Sequence, residues 1–301
     1  MSSVSSVILS CRPDRATLAA VALGPWLLTP SAALAATLTV PGQYPSIQAA
    51  IDASSNGDRV EVAPGTYVGT IDFTGKNIQV IGTGGSGVTT IDAQQSARFV
   101  ARMTGGEDSS ALLQGFTVRG GRHSVVFEPA RAGVVINSDA TIRDCIVRDH
   151  NADAAGRSVQ AGLIINGGSP VIEDTEVRGN VADGGGGFEA EIFAGVSIYG
   201  GTPTFRDLRI TDNVAEGSGF YKRVGAGLTV RSGDIDVSSA LIWNNEDSVF
   251  AGDSVGGAAM LILGGSVTAD HVTVGGNNLA SFRTDPLRAG GVNVGDAGEL
   301  T

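Results

Sequence analysis

The residues of this chain with the chemistry for acid–base catalysis or metal ligation are few and scattered. His123, His150 and His271 stand at least 27 residues apart. A metal centre or a general acid–base pair needs such groups within a few ångströms of one another. Nothing in the spacing gathers them, so each reads as a lone surface or turn histidine. Asp144, Asp174 and Asp207 recur at near-constant intervals. Calcium needs six or more oxygens, and no further carboxylate or Gly-rich calcium motif attends these three. They read as turn residues that hydrogen-bond through the carboxylate, and no metal or cofactor is expected. Lys and Arg number 20 against 31 Asp and Glu, for a net charge of -11, and form no basic run. That balance argues against a nucleic-acid groove.

Any chemistry must therefore come from how the chain stacks, and the sequence is strongly self-similar. Six segments align: Ala132-Gly-Val-Val-Ile136, Ala161-Gly-Leu-Ile-Ile165, Ala194-Gly-Val-Ser-Ile198, Ala226-Gly-Leu-Thr-Val230, Ala258-Ala-Met-Leu-Ile262 and Gly290-Gly-Val-Asn-Val294. A second set follows, beginning at Ile142, Ile172, Phe205, Val237 and Ala269, and Asn180, Asn213, Asn245 and Asn277 come three residues after four of these. The repeat is about 32 residues long. Apolar positions alternate with variable ones, the period of a strand. Units this short cannot bury their own apolar faces and must stack with like residues over like. The expected fold is all-β, a single-stranded parallel β-helix over residues 36–301, with regular repeats over 132–301.

In that fold Val134, Leu163, Val196, Leu228, Met260 and Val292 form one inward column. Val135, Ile164, Ser197, Thr229, Leu261 and Asn293 form an outward one with nothing that titrates. The four asparagines become a structural ladder, each donating to one neighbouring coil and accepting from the other while tolerating a left-handed bend. Arg143, Glu173 and Arg206 share an outward column, and Glu176 sits beside Arg209, setting opposite charges face to face.

At the N-terminus Arg12 and Arg15 precede an apolar stretch, and Ala33-Leu34-Ala35 has the small-residue pattern of a cleavage site. Residues 1–35 read as a secretory signal, with no membrane span after its removal and Cys145 the only cysteine left. The product is expected to be secreted or at the cell surface. Ile47 to Ala53, capped by Ser46 and ended by Asn56-Gly57, reads as a short helix within an N-terminal cap over 36–57. The repeat that opens at Gly290 stops at Thr301, which leads to the expectation of a fragment, or of a last coil covered by another chain.

The stretches between each asparagine and the next Ala-Gly read as loops. They carry Phe188, Phe193, Phe220, Tyr221, Phe250 and Phe282 near Glu189, Glu191, Lys222 and Arg223. Leaving the solenoid at one corner, they would pile into an aromatic-lined groove able to stack on sugar rings. The plainer reading is that these aromatics pack the loops together.

Ser46-Ile47-Gln48-Ala49-Ala50-Ile51-Asp52-Ala53, then Val62-Ala63-Pro64-Gly65-Thr66-Tyr67 and Ile78-Gln79-Val80-Ile81-Gly82, resembles the opening of secreted right-handed parallel β-helix proteins of the pectin-lyase-like superfamily. The later repeats are similar to polymorphic outer-membrane-protein repeats. Together the resemblance covers residues 40–301 and implies right-handed coils and export. Pectinesterases place two aspartates and an arginine on neighbouring coils with glutamines nearby. Here Asp92 and Gln94-Gln95 lie close in sequence, but the Gln-Asp and Asp-Phe motifs are missing, so no catalytic residue is carried over. Asp149-His150 and Arg283 to Arg288 likewise lack the spacing of the lyase and polygalacturonase motifs. The expectation is an exported, non-catalytic β-helix in cell-surface attachment or recognition of polysaccharide or another partner. A carbohydrate-active enzyme of lyase or pectinesterase type, and an autotransporter passenger fragment, stand as alternatives.

Overall fold

The computed structural model describes residues 34–250, 255–279 and 288–301. The proposed signal segment lies almost wholly outside the described residues. From Thr37 onward the chain winds into stacked coils in which every strand pair is parallel.

Three sheets enclose the core. In the first, Val134, Leu163, Val196, Leu228, Met260 and Val292 pair one over the next. In the second, Leu38, Val60, Val80, Leu113, Ile142, Ile172, Phe205 and Val237 form a buried column. In the third, Ile91, Val118, Val147, Val177, Ile210 and Ile242 do the same, with Tyr67 and Val274 partly buried at the two ends. Alternation along each short strand sends these residues inward, and stacking excludes water from faces no single coil can cover. The fold is a parallel β-helix with, among the described residues, one short helix. That helix, Ile47–Ala53, buries Ile47, Ala50 and Ile51, and Ser46 Oγ accepts from the Ala49 N–H at 3.2 Å. It ends at Ser54, before Asn56-Gly57, where Lys76 Nζ donates to the carbonyls of Ile51, Asp52 and Ser54.

The corners have a conformational logic. Between the second and third strands the left-handed position falls to Gly115, Asp144, Asp174, Asp207, Ser239 and His271 in successive coils. This accounts for the aspartate column, since small polar residues and glycine tolerate positive φ best. After the third strand the left-handed residues are Gly120, Asp149, Gly179, Asp212, Asn244 and Gly276, each one place before the ladder position. The ladder asparagines themselves are not left-handed; the bend is absorbed by their predecessors.

The stretches read as loops are strands. Arg122–Val126, Asn151–Ala155 and the start of Val181–Phe193 run outward in register, and Val159–Gly167 and the end of Val181–Phe193 return. Between the two layers lies a second core of Ala130, Ala132, Ala152, Ala154, Ala161, Ala182, Ala194, Ala215 and Ala226 with Val159, Ile192 and Val224. Each coil over residues 122–226 thus carries a thin flange, closed by alanines. Where the flange rejoins the barrel the backbones nearly touch: Gly162 has φ +93, and a Cβ there would meet Gly195 O at 2.2 Å. The returning strands also cover the first sheet, so Ile164, Ser197, Thr229 and Leu261 are fully buried rather than outward on the surface.

Candidate functional site

The four asparagines occupy one row, fully buried at Asn180, Asn213 and Asn245. Asn180, Asn213 and Asn245 donate through Nδ2 to the Oδ1 of the next asparagine at 2.9, 2.9 and 3.0 Å. Each Oδ1 also accepts the backbone N–H of the preceding ladder residue, starting with His150 to Asn180 at 3.1 Å. The remaining amide hydrogen reaches a strand carbonyl, at 3.0 Å for Asn213 to Val177. With every polar atom engaged, this row holds the coils in register and offers nothing to a ligand.

His150 heads the same row and is buried, contrary to its reading as a surface or turn residue. The interval from His150 to Asn180 matches the repeat, and that was the available signal. Its Nδ1 accepts the Gly121 N–H at 3.0 Å, which places the proton on Nε2, a buried atom without a partner. Burial pushes its pKa down to about 3. His271 fits the original reading at a left-handed, exposed turn. His123 lies on a strand and accepts the Arg131 N–H at 3.0 Å.

Among the proposed aromatic contacts, Phe193 is fully buried, its ring centroid 6.5 Å from that of Tyr199. It packs the flange against the barrel and cannot reach a ligand in solution. Phe188 and Phe220 are backbone partners on adjacent coils, and Phe250 pairs with Ser218. The side chains of Phe188, Phe220, Tyr221 and Phe250 lie outside the described residues, as does Phe282 altogether.

The open surface with most chemical character is the outer face of the third sheet. One column runs Asp92, Arg119, Arg148, Arg178, Thr211, Trp243 and Gly275. Beside it run Thr117, Ile146, Glu176, Arg209, Leu241 and Thr273. Three clefts of about 330, 330 and 300 Å³ border this face. At one end Asp92 is held by Arg119 through Nε at 2.9 Å and Nη2 at 2.8 Å, and its Oδ1 accepts the Gln94 N–H. Gln94, Gln95, Gly120 and Asp149 complete that cleft. Arg122 holds Gln95 Oε1 at 3.2 Å, and Arg148 holds Asp149 at 2.5 Å. Toward the other end Arg209 lines both remaining clefts. Glu176 pairs with Arg178 at 3.5 Å on its own strand rather than with Arg209, whereas Arg143 and Glu173 do pair across coils.

Trp243 is 48% exposed. Its indole lies over the next coil, where Cβ atoms on Gly275 and Gly276 would come within 2.3 and 2.9 Å of the ring. The alignment already puts Arg148, Arg178, Thr211 and Trp243 two places before each ladder residue, a signal passed over in favour of the stretches beyond it. Among the described residues no group of three or more His, Cys, Asp or Glu could hold a metal ion. Among the same residues no helix is long and apolar enough to cross a membrane.

This register defines the class of the protein, a single-chain parallel β-helix with a flange on the coils over residues 122–226. No protein-family model matches the chain, and no curated protein does. Among solved structures it is similar to pectin methylesterase from carrot, at 13% identity over 86% of this chain and 87% of that one, with a TM-score of 0.35.

Proposed function

We propose that the chain is an exported β-helix that recognises polysaccharide along the outer face of its third sheet, serving surface attachment or binding without turnover of its own. The observation that carries this reading is Trp243, a half-exposed indole laid flat on a glycine pair and in line with the column of arginines. An exposed aromatic face in line with arginines is a stacking platform edged by hydrogen-bond donors, and a sugar ring is a shape-matched partner with polar edges. The stacked coils present one contact row per about 4.8 Å, suited to a linear polymer. The small-residue pattern at Ala33-Leu34-Ala35 supports export.

The test is a glycan-binding screen of the full chain beside Trp243→Ala. The variant is expected to keep its thermal unfolding and bind roughly two- to tenfold more weakly. Equal binding by the two proteins, or no glycan bound at all, would overturn the reading.

The cleft at Asp92 favours a second reading. Its two aspartates, one arginine and two glutamines are the residue types that the pectinesterase resemblance implies. In ester hydrolysis one carboxylate would attack or activate water, the other would protonate the leaving alcohol, and glutamine amides would hold the oxyanion. Both carboxylates here are already engaged by arginines, which favours binding. Alcohol release from esterified uronates in the same screen, lost in Asp92→Asn, would promote this reading over the first.

A further inference from the structure

The corner where the flange returns to the first sheet holds a charge imbalance unrelated to the third-sheet face. Glu191 is on a returning strand, and Arg223 is its partner one coil further on. Tyr199 and Arg231 each directly follow the first-sheet strands of the same two coils. Glu191 spends both oxygens on arginines, one on Arg223 Nη1 at 2.7 Å and the other on Arg231 Nη1 at 2.5 Å.

A third guanidinium, that of Arg131, lies 5.8 Å from the Tyr199 ring centroid, with Arg231 at 5.5 Å. Arg131 has no carboxylate partner among the described residues. Three cations therefore share one carboxylate in a chain whose overall charge is -11. The Tyr199 hydroxyl is buried and donates to no acceptor, with the Arg231 guanidinium, itself a donor, beside it. A buried donor left unmade is costly, and like charges crowded at a half-buried corner repel one another. Two guanidinia crowd the Tyr199 ring and three arginines have one carboxylate between them, so a second negative charge is missing. Arg223 and Arg231 have side chains 38% and 34% exposed, so the corner is open to solvent on that side.

We infer that this corner binds a small oxyanion, a carboxylate or a phosphate, received by the guanidinia of Arg131 and Arg231 and the Tyr199 hydroxyl. Charge-assisted hydrogen bonds from arginine suit such a ligand, and its charge balances the excess.

Isothermal titration of the full chain with sodium phosphate and with sodium acetate, at constant ionic strength set by chloride, tests the assignment. Saturable one-to-one binding of either anion is expected, accompanied by a rise in Tm. Saturation by phosphate alone or by acetate alone tells the two chemistries apart. Tyr199→Phe keeps the ring beside its arginines and removes only the hydroxyl, so it should bind about tenfold more weakly or worse while folding as well as the parent. Arg231→Gln should weaken binding further; if that variant does not fold, Tyr199→Phe decides. A response that does not saturate, or that is the same in Tyr199→Phe, would overturn the assignment. Neither result depends on whether Trp243 binds a glycan.

Discussion

Barrel and flange are wound from the same coils, yet they are closed by different means. The barrel stacks Phe116, Phe205, Ile142, Ile172 and their neighbours, all fully buried, and ties its coils with a hydrogen-bonded asparagine row. The flange is closed largely by alanines, so each coil contributes little apolar area there. The contrast assigns the roles: the barrel supplies stability, and the flange is a thin projection that stability can spare. A second difference follows from the first. The asparagine amides of the barrel row are satisfied, and only His150 Nε2 at its head is not, whereas the corner beneath the flange leaves Ser197, Thr229, Gln160 and Tyr199 with unpartnered atoms.

Core truncation gives the largest test of this contrast. Phe205→Ala removes a fully buried ring from the second-sheet column and should cost about 3–5 kcal/mol. Ala182→Gly, within the flange core, should cost only about 1 kcal/mol, from one lost methyl and added chain entropy. Urea unfolding of both variants checks the ranking. Costs of equal size would mean that the flange bears as much of the fold as the barrel.

How far each region could be read in advance follows from the same physics. The inward columns were legible because Val, Leu and Ile recur at one interval, and a one-residue slip would turn every side chain to the wrong face. The asparagine row was legible because a buried amide is worth repeating only where its neighbours repeat it too. The flange was not. Ala152, Ala154, Ala182 and Ala215 alternate with polar residues, but alanine and glycine give so little hydrophobic contrast that the stretch looks like a loop. Reading it as a loop then left Ser197 and Thr229 on the surface, although the returning strand lies against them; a Cβ on Gly225 would meet Thr229 Oγ1 at 2.0 Å. The cleft joining Asp92, Gln94, Gln95, Arg119 and Asp149 was hidden for another reason. Its members come from three successive coils, and the irregular spacing of the early coils conceals which residues they bring together.

An effect of intermediate size sharpens the account of the barrel row. His150 has its folded pKa pushed down to about 3, against about 6.5 in an unfolded chain. The unfolded state therefore binds the extra proton first. Stability from this group is complete above pH 6.5 and is lost as pH falls toward 3, by roughly 2–3 kcal/mol at pH 4.5. His150→Asn should extend the row, its Oδ1 accepting the Gly121 N–H and its amide donating to Asn180. The variant is expected to lose this portion of the acid sensitivity while matching or exceeding the parent at pH 7. Urea midpoints at pH 7 and pH 4.5 measure it. An unchanged gap between the two pH values would show that His150 is not buried in the row.

The smallest effect concerns rates of opening rather than stability. Cys145 is buried in the barrel, and burial pushes its thiol up to about 12. With Cys11→Ser in every protein compared, Cys145 should therefore resist thiol reagents until the barrel opens. Placing a cysteine in the flange, as Ala182→Cys in a Cys145→Ser background, puts a similar probe where little apolar area holds the layers together. Regions with few buried contacts open locally at lower free energy than the global transition. The flange thiol should react faster than Cys145 at the same pH, and its rate should depend more weakly on low concentrations of urea, because local opening exposes less surface than unfolding the barrel. Equal rates with equal urea dependence would mean that flange and barrel open as one unit, and the division between a supporting core and a dispensable projection would fail.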